Sequence, residues 1–242
     1  MKKESLIVLF SGGVDSTYTA MKMADIYKTL HCLTYERFGF INASNSEKSF
    51  QQVSENNKDI KAVHKIINID NFVKKVSYSN YLINLCKYGF VVLSNCLICK
   101  LAMHWRTIIY CRENNLKEVC DGANKEMYGD PSQNKVILEK IVKLYEYFNI
   151  RYFSPFFDEL RKEREDYLFA VEIIPVQYAK WSRFSRERQP FCCQEHLSVL
   201  FKRFRENILN QYSNLNMKNI EKDICEYCDE KISCIKNEIE RN

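Results

Sequence analysis

The chain has 242 residues, with 36 Lys and Arg against 31 Asp and Glu for a formal charge of +5, and 46% of it is hydrophobic. That length suits one main domain with a substantial core, and the apolar and aromatic content excludes disorder over most of it. Six Gly and four Pro exclude collagen-like and linker-rich chains and leave little for a turn-punctuated β-barrel.

Leu6-Ile7-Val8-Leu9-Phe10 is a continuous apolar run, the pattern of a central parallel strand buried on both faces. It is too short to cross a membrane and too early for a signal peptide, so a cytoplasmic protein without membrane contact is expected. After Ser11-Gly12-Gly13, residues Tyr18, Met21 and Ala24 fall on one helical stripe, and Leu30 to Tyr35 is strand-like. Arg37 to Lys61 is polar and aperiodic, read as loop with a short helix. Ala62 to Ile69 is a strand, Phe72 to Cys86 a helix, Leu97 to Arg112 another, and Leu116 to Cys120 a short strand ending at Asp121-Gly122. A helix over Val136 to Phe148 starts near Ser132, after Pro131. A strand is expected within Ile150 to Phe157, followed by a helix capped by Asp158 and carrying Leu160, Glu163, Tyr167, Leu168 and Val171. Strands alternating with helices predict an α/β fold with a doubly wound, mostly parallel sheet. Residues 173–193 read as irregular and 194–212 as helical. The catalytic domain is placed at 1–212 and a small cysteine-containing appendage at 213–242.

Ser11-Gly12-Gly13-Val14-Asp15-Ser16-Thr17 lies between that first strand and its helix. Adjacent glycines permit a tight turn with converging backbone N–H groups, and the helix start adds its partial positive charge, so a phosphate is the expected ligand. Ser11, Ser16 and Thr17 supply hydroxyls. The Walker and dinucleotide glycine patterns are both missing, which lowers ordinary P-loop hydrolysis and dinucleotide redox chemistry. A carboxylate at Asp15 beside phosphates calls for an intervening divalent cation or for a role as a helix cap.

Eleven cysteines in a chain expected in a reducing compartment argue against a disulfide framework and for metal or thiol chemistry at some of them. Cys32, Cys111 and Cys120 sit in apolar segments and read as core. Cys96-Leu97-Ile98-Cys99 is a C-x-x-C at the front of a helix, a position that favours thiolates. Cys192-Cys193 follows a basic segment, and adjacent residues seldom face one point, so only one is expected to join the first pair. Cys225, Cys228 and Cys234 form a third set, for which a structural Zn²⁺, a share in a cluster and unliganded thiols all stand open. A zinc site there would need a fourth ligand, with Cys86 or the spare member of Cys192-Cys193 available.

Ser11 to Ser16 resembles the pyrophosphatase loop of the adenine nucleotide alpha-hydrolase-like superfamily, the PP-loop ATP pyrophosphatases. The resemblance implies cleavage of ATP between the α- and β-phosphates, with residues 11–17 gripping pyrophosphate, Asp15 helping to hold Mg²⁺, and Thr34 and Tyr35 bordering the adenosine. The C-x-x-C, Arg106, Asp121-Gly122 and a cysteine 93 positions after Cys99 resemble the cluster-dependent tRNA thiolases of that superfamily. This implies a [4Fe-4S] cluster on Cys96, Cys99 and one of Cys192 and Cys193. Where those thiolases carry Gly-His and two Asp, this chain reads Gly122-Ala123-Asn124-Lys125-Glu126, so Asn124 would approach ribose or phosphate and Glu126 is an alternative Mg²⁺ ligand. Cys96 to Lys100, Asp121 to Asn124 and Ser154-Pro155-Phe156 also resemble ATP-dependent sulfur transferases acting on small pyridinium precursors.

Lys180, Arg183, Arg186, Arg188, Lys202, Arg203 and Arg205 lie with Trp181 and Phe184 in one segment opposed by only Glu187 and Glu195. Basic residues interleaved with aromatics suit phosphate contact and base stacking, and equally a solvated basic face. The reading is an ATP-dependent sulfur transferase that adenylates a carbonyl or amide oxygen, on a tRNA base or a small cofactor precursor, and replaces it with sulfur. A sulfur-donor protein or sulfide is implied, a homodimer is left open, and a non-catalytic ATP-sensing or RNA-binding protein is the alternative.

Overall fold

The computed structural model describes residues 2–93, 96–127, 133–174, 190–192 and 217–241. Five parallel strands form one sheet: β1 (Lys3–Leu9), β2 (Tyr27–Glu36), β4 (Lys61–Asn68), β5 (Glu118–Cys120) and β6 (Arg151–Phe153), in the order β4-β2-β1-β5-β6. The central strand pairs on both edges, with Val8 beside Cys32 on one side and Cys120 on the other. Its side chains alternate: Leu6, Val8 and Phe10 enter one apolar layer and Ile7 the other, which is why the strand reads as an unbroken apolar run.

Helices cover both faces. The layer with Leu6 and Val8 also holds Tyr18, Ala20 and Met21 of α1 (Val14–Ala24) and Leu168 of α7 (Arg161–Ala170). The opposite layer is built on α3 (Asp70–Tyr78), α4 (Tyr81–Leu93), α5 (Leu97–Glu113) and α6 (Lys135–Tyr147). The sheet is therefore doubly wound, and the chain changes direction across it between β1 and β5. At such a switch point the loops after two neighbouring strands diverge and leave a crevice at their carboxyl ends. Here those loops are residues 10–13 and 121–124.

Several elements differ from the sequence expectation. The polar stretch after Arg37 contains β3 (Phe40–Ile41), a 3-10 turn at Ala43–Asn45 and a helix, α2 (Ser46–Asn56). That helix buries Ser46, Ser49 and Val53, a stripe too poor in apolar residues to register as periodic. The helix expected over 72–86 is two, parted where Asn80 takes a left-handed conformation at φ 56°. Helix α6 is capped by Asn134, whose side chain accepts from the Val136 N–H, rather than near Ser132. Asp158 does not cap α7: Leu160 holds that position, and Glu163 accepts its N–H at 3.0 Å.

The C-terminal segment, expected as an appendage, is instead part of the core. Residues Met217–Arg241 form one helix, α8, whose Ile224, Tyr227, Cys228, Ile232, Ile235 and Ile239 are buried with α4, α5 and α6. Spacings of three and four residues give the stripe its single face. Lys231 lies on the same stripe, 3% exposed, and its ammonium donates to the Ser79 carbonyl at 2.9 Å and the Ser79 hydroxyl at 3.1 Å. Lys87–Glu230 and Lys140–Asp229 ion pairs flank it. The boundary expected at 212/213 falls outside the described residues, as do the predicted helix at 194–212 and nearly all of the basic and aromatic segment. No described helix is long and apolar enough to cross a membrane.

Candidate functional site

The loop after β1 is held from inside. Gly12 has φ 77°, the left-handed conformation glycine tolerates without a Cβ penalty. The Ser11 N–H donates to the Ser16 hydroxyl at 3.2 Å, and the Gly13 N–H donates to the Ser11 hydroxyl at 3.3 Å. The Ser16 hydroxyl donates in turn to the Gly13 carbonyl at 3.2 Å. From α2, the buried Ser49 donates to the Gly12 carbonyl at 2.8 Å. Ser11 is exposed at the rim, Gly13, Val14 and Asp15 are half-buried, and Gly12, Ser16 and Thr17 are buried. Thr17 Oγ1 has no hydrogen-bond partner among the described residues. The turn ends at the first turn of α1, so backbone N–H groups and the helix start share one crevice, the arrangement that binds phosphate.

Thr34 and Tyr35, expected at the adenosine, keep their side chains inside the protein. The Thr34 hydroxyl donates to the Phe10 carbonyl at 2.5 Å and meets His64 Nε2 at 2.8 Å, so it supports the glycine loop from below. The Tyr35 hydroxyl meets Thr107 Oγ1 at 2.6 Å within the core. Strand alternation sends the one into each layer, and a buried hydroxyl must take an internal partner.

The second wall of the crevice follows β5. A Cβ built on Gly122 would lie 2.7 Å from the Asp15 carbonyl carbon and 2.8 Å from the Ser16 nitrogen, so this glycine lets the loop after β5 pack against the first turn of α1. Asp121 anchors that loop, accepting from the Tyr152 and Ser154 hydroxyls, each at 2.6 Å, and from the Ala123 N–H at 3.1 Å. Lys100 Nζ lies 3.4 Å from the same carboxylate. Burial opposes the Asp121 charge, but Lys100 and the hydroxyl donors outweigh it and hold the acid below its ordinary range. Asn124 is 1% exposed, and its backbone N–H donates to Gln133 at 3.3 Å. Glu126 accepts the Arg161 N–H at 3.1 Å, which ties it to the start of α7.

Arg164 stands out among residues that sequence reasoning missed. It is 0% exposed, and its Nη1 donates to Asp15 Oδ1 at 2.8 Å and to the Gly122 carbonyl at 3.2 Å, while Nη2 donates to the Phe156 carbonyl. Its signal was a basic residue midway between Leu160 and Leu168 on the apolar stripe of α7. Asp15 is thus an ion-pair partner first, with one oxygen committed to Arg164.

The cysteine pair stands at the same end of the sheet. Cys96 occupies the N-cap of α5, and Cys99 is 7% exposed in the next turn. Lys100, the next residue, reaches Asp121, so the helix carrying the thiols contacts the loop after β5 that walls the crevice. The short antiparallel ribbon of β3 and β7 (Phe191–Cys192) sets Cys192 opposite Phe40, which brings it toward Cys99. Burial pushes the Cys99 thiol up to about 11, the positive charge of Arg37 opposes the rise, and neighbouring Cys192 adds to it. Cys193 lies outside the described residues.

Among the described residues, no three His, Cys, Asp or Glu side chains stand close enough to hold a metal. For Mg²⁺ this agrees with its chemistry, because the ion takes one or two carboxylates and completes its shell with phosphate oxygens and water; Asp15 offers one oxygen beside the loop. A [4Fe-4S] cluster requires three converging protein thiolates when one iron is left open, and the described residues do not assemble them. The third set also fails to converge. Cys225 and Cys228 lie one turn apart, but Cys234 is nine residues from Cys225, which turns it to the opposite side of the helix at 100° per residue. Cys234 borders a cavity with Trp105 and Lys231 instead, so the three do not share a zinc ion.

No protein-family model matches the sequence, and no curated protein is significantly similar to it. Among solved structures, a predicted subunit of tRNA methyltransferase from Methanocaldococcus jannaschii is 22% identical with a TM-score of 0.45, over 67% of this chain and 74% of that one. The U34-tRNA thiolase NcsA from Methanococcus maripaludis, solved with its [4Fe-4S] cluster, is 14% identical with a TM-score of 0.40, over 96% of this chain and 72% of that one.

Proposed function

We propose that the protein is an ATP-dependent sulfur transferase that forms AMP and pyrophosphate. The observation that carries this reading is the Ser11–Thr17 turn at the switch point, closed by Gly122 and joined through Asp121 and Lys100 to the helix that begins with Cys96 and Cys99. A phosphate crevice and a group of thiols then serve one substrate from two sides. The backbone N–H groups of the loop and the start of α1 would hold the β- and γ-phosphates. Mg²⁺, when bound with them, would neutralise charge on the departing pyrophosphate.

The acceptor oxygen would attack the α-phosphorus and expel pyrophosphate, converting a poor leaving group into an adenylate. Hydrosulfide delivered by the sulfur donor beside Cys96 and Cys99 would then attack the activated carbon, forming the C–S bond as the C–O bond breaks and AMP departs, and loss of its proton leaves the thiocarbonyl. No step is assigned to an iron–sulfur cluster. A tRNA base is the proposed acceptor, on the basic and aromatic sequence from Lys180 to Arg205. A small pyridinium carboxylate is the second reading, favoured by the Ser154 to Asp121 hydrogen bond, which joins two sequence segments shared with that class.

The test is product analysis with α-labelled ATP, offering unmodified tRNA and a pyridinium carboxylate in parallel. AMP and pyrophosphate formed only with an acceptor support the reading; ADP and phosphate overturn it. Salt-sensitive turnover identifies the nucleic acid.

A further inference from the structure

A guanidinium carries five N–H donors and cannot lose its proton inside a protein, so a fully buried arginine needs a counter-charge and acceptors around it. Arg164 has 0% exposure and joins three segments: the first turn of α1 through Asp15, the loop after β5 through the Gly122 carbonyl, and the turn after β6 through the Phe156 carbonyl. Its ion-pair partner is Asp15, itself half-exposed at the crevice, with the two atoms 2.8 Å apart. The buried end of the pair therefore lies in the core and the reachable end faces the phosphate loop.

We infer that Arg164 is the positioning residue for Asp15: it fixes one carboxylate oxygen and neutralises the group, so that the other oxygen is presented as a single ligand to the cation that travels with pyrophosphate. The inference rests on the phosphate-loop part of the proposed function, though on neither the acceptor nor the sulfur. Without Arg164 the carboxylate would rotate and stand as an uncompensated negative charge beside phosphates, which repel it. With it, phosphate and cation meet a pair of zero net charge and fixed direction, as a charge-assisted hydrogen bond of this length provides.

The quantity to measure is the ratio of inorganic pyrophosphate affinities with and without Mg²⁺, by calorimetry on the full chain, for wild type, Arg164→Met, Arg164→Lys, Asp15→Asn and the Asp15→Asn/Arg164→Met double variant. Arg164→Met is expected to reduce the Mg²⁺-dependent gain about tenfold, the scale of one lost charged hydrogen bond. Arg164→Lys should restore part of it, and the double variant should match Asp15→Asn, because no ligand is left to position. Equal weakening with and without Mg²⁺ would mark Arg164 as merely structural and overturn the inference. Should Arg164→Met not fold, an unchanged ratio in Arg164→Lys overturns it alike. Wild type that binds no pyrophosphate defeats both this inference and the proposed function, whereas ADP formation alongside the expected ratios defeats only the latter.

Discussion

Gly122→Ala tests how closely the loop after β5 must approach the first turn of α1. The added methyl would stand 2.7 Å from the Asp15 carbonyl carbon, 2.8 Å from the Ser16 nitrogen and 2.9 Å from the Asp15 oxygen, all backbone atoms. Carbon atoms pack without strain at about 3.5–4.0 Å, so one wall must retreat by about 1 Å. Neither wall is loose. On one side Asp121 is pinned by Tyr152 and Ser154, and on the other Asp15 is held by Arg164 at 2.8 Å. Overpacking of this kind costs about 1–3 kcal/mol. That loss should appear as a lower urea midpoint with an unchanged slope, followed by tryptophan fluorescence. A displacement of about 1 Å at a phosphate site costs roughly 100-fold where alignment matters, so pyrophosphate binding should weaken by about 10- to 100-fold. A variant with the wild-type midpoint and wild-type affinity would show that Gly122 does not press on the first turn of α1, and the crevice as described would be wrong.

Two further expectations concern buried polar groups. Asp121→Asn leaves Lys100 without its counter-charge and should cost about 3–5 kcal/mol in urea denaturation. Because the folded-state acid is held below the ordinary value of 3.8, its contribution is full above that value and is lost as pH falls through the folded pKa. Wild-type stability should therefore rise with pH in the range below about 4, where the Asn variant should be flatter; parallel profiles would refute the assignment. In α8 the buried Tyr227 hydroxyl has no partner among the described residues, so Tyr227→Phe should leave stability unchanged or raise it. Tyr227→Ala should cost about 3–5 kcal/mol as a core truncation. A neutral Tyr227→Ala would mean that the helix is only loosely attached.

The strands and the phosphate turn were legible because their signals are local. Leu6 to Phe10 can be apolar at every position only when both faces are covered, and two glycines after it leave few alternatives to a tight turn. What escaped notice depends on partners far along the chain. Arg164 reads as an ordinary helix charge until the Asp15 carboxylate, 149 positions earlier, is found beside it. Helix α2 hides because its inner face is made of serines, one of which serves the Gly12 carbonyl. Thr34 and Tyr35 border the adenosine only on the resemblance, and alternation sends their side chains to opposite layers, where internal partners take both hydroxyls. The C-terminal cysteines suggested a metal by spacing alone. A continuous helix with an isoleucine stripe explains the segment better, and that stripe was present in the sequence at positions 224, 232, 235 and 239.

The place of α8 in the core also bears on how the protein is made. The ribosome can deliver every strand of the five-stranded sheet by Phe153, yet the layer of α3, α4, α5 and α6 lacks part of its cover until Arg241 has emerged. Roughly 90 residues separate the end of α6 from that point, which at roughly 5–20 residues per second is an interval of about 5–20 s. During it a half-finished chain carries an open apolar flank, the kind of surface that makes partly folded chains prone to associate. A message truncated between those points would leave that flank uncovered, even though the Ser11–Thr17 turn and the C-x-x-C helix were already encoded.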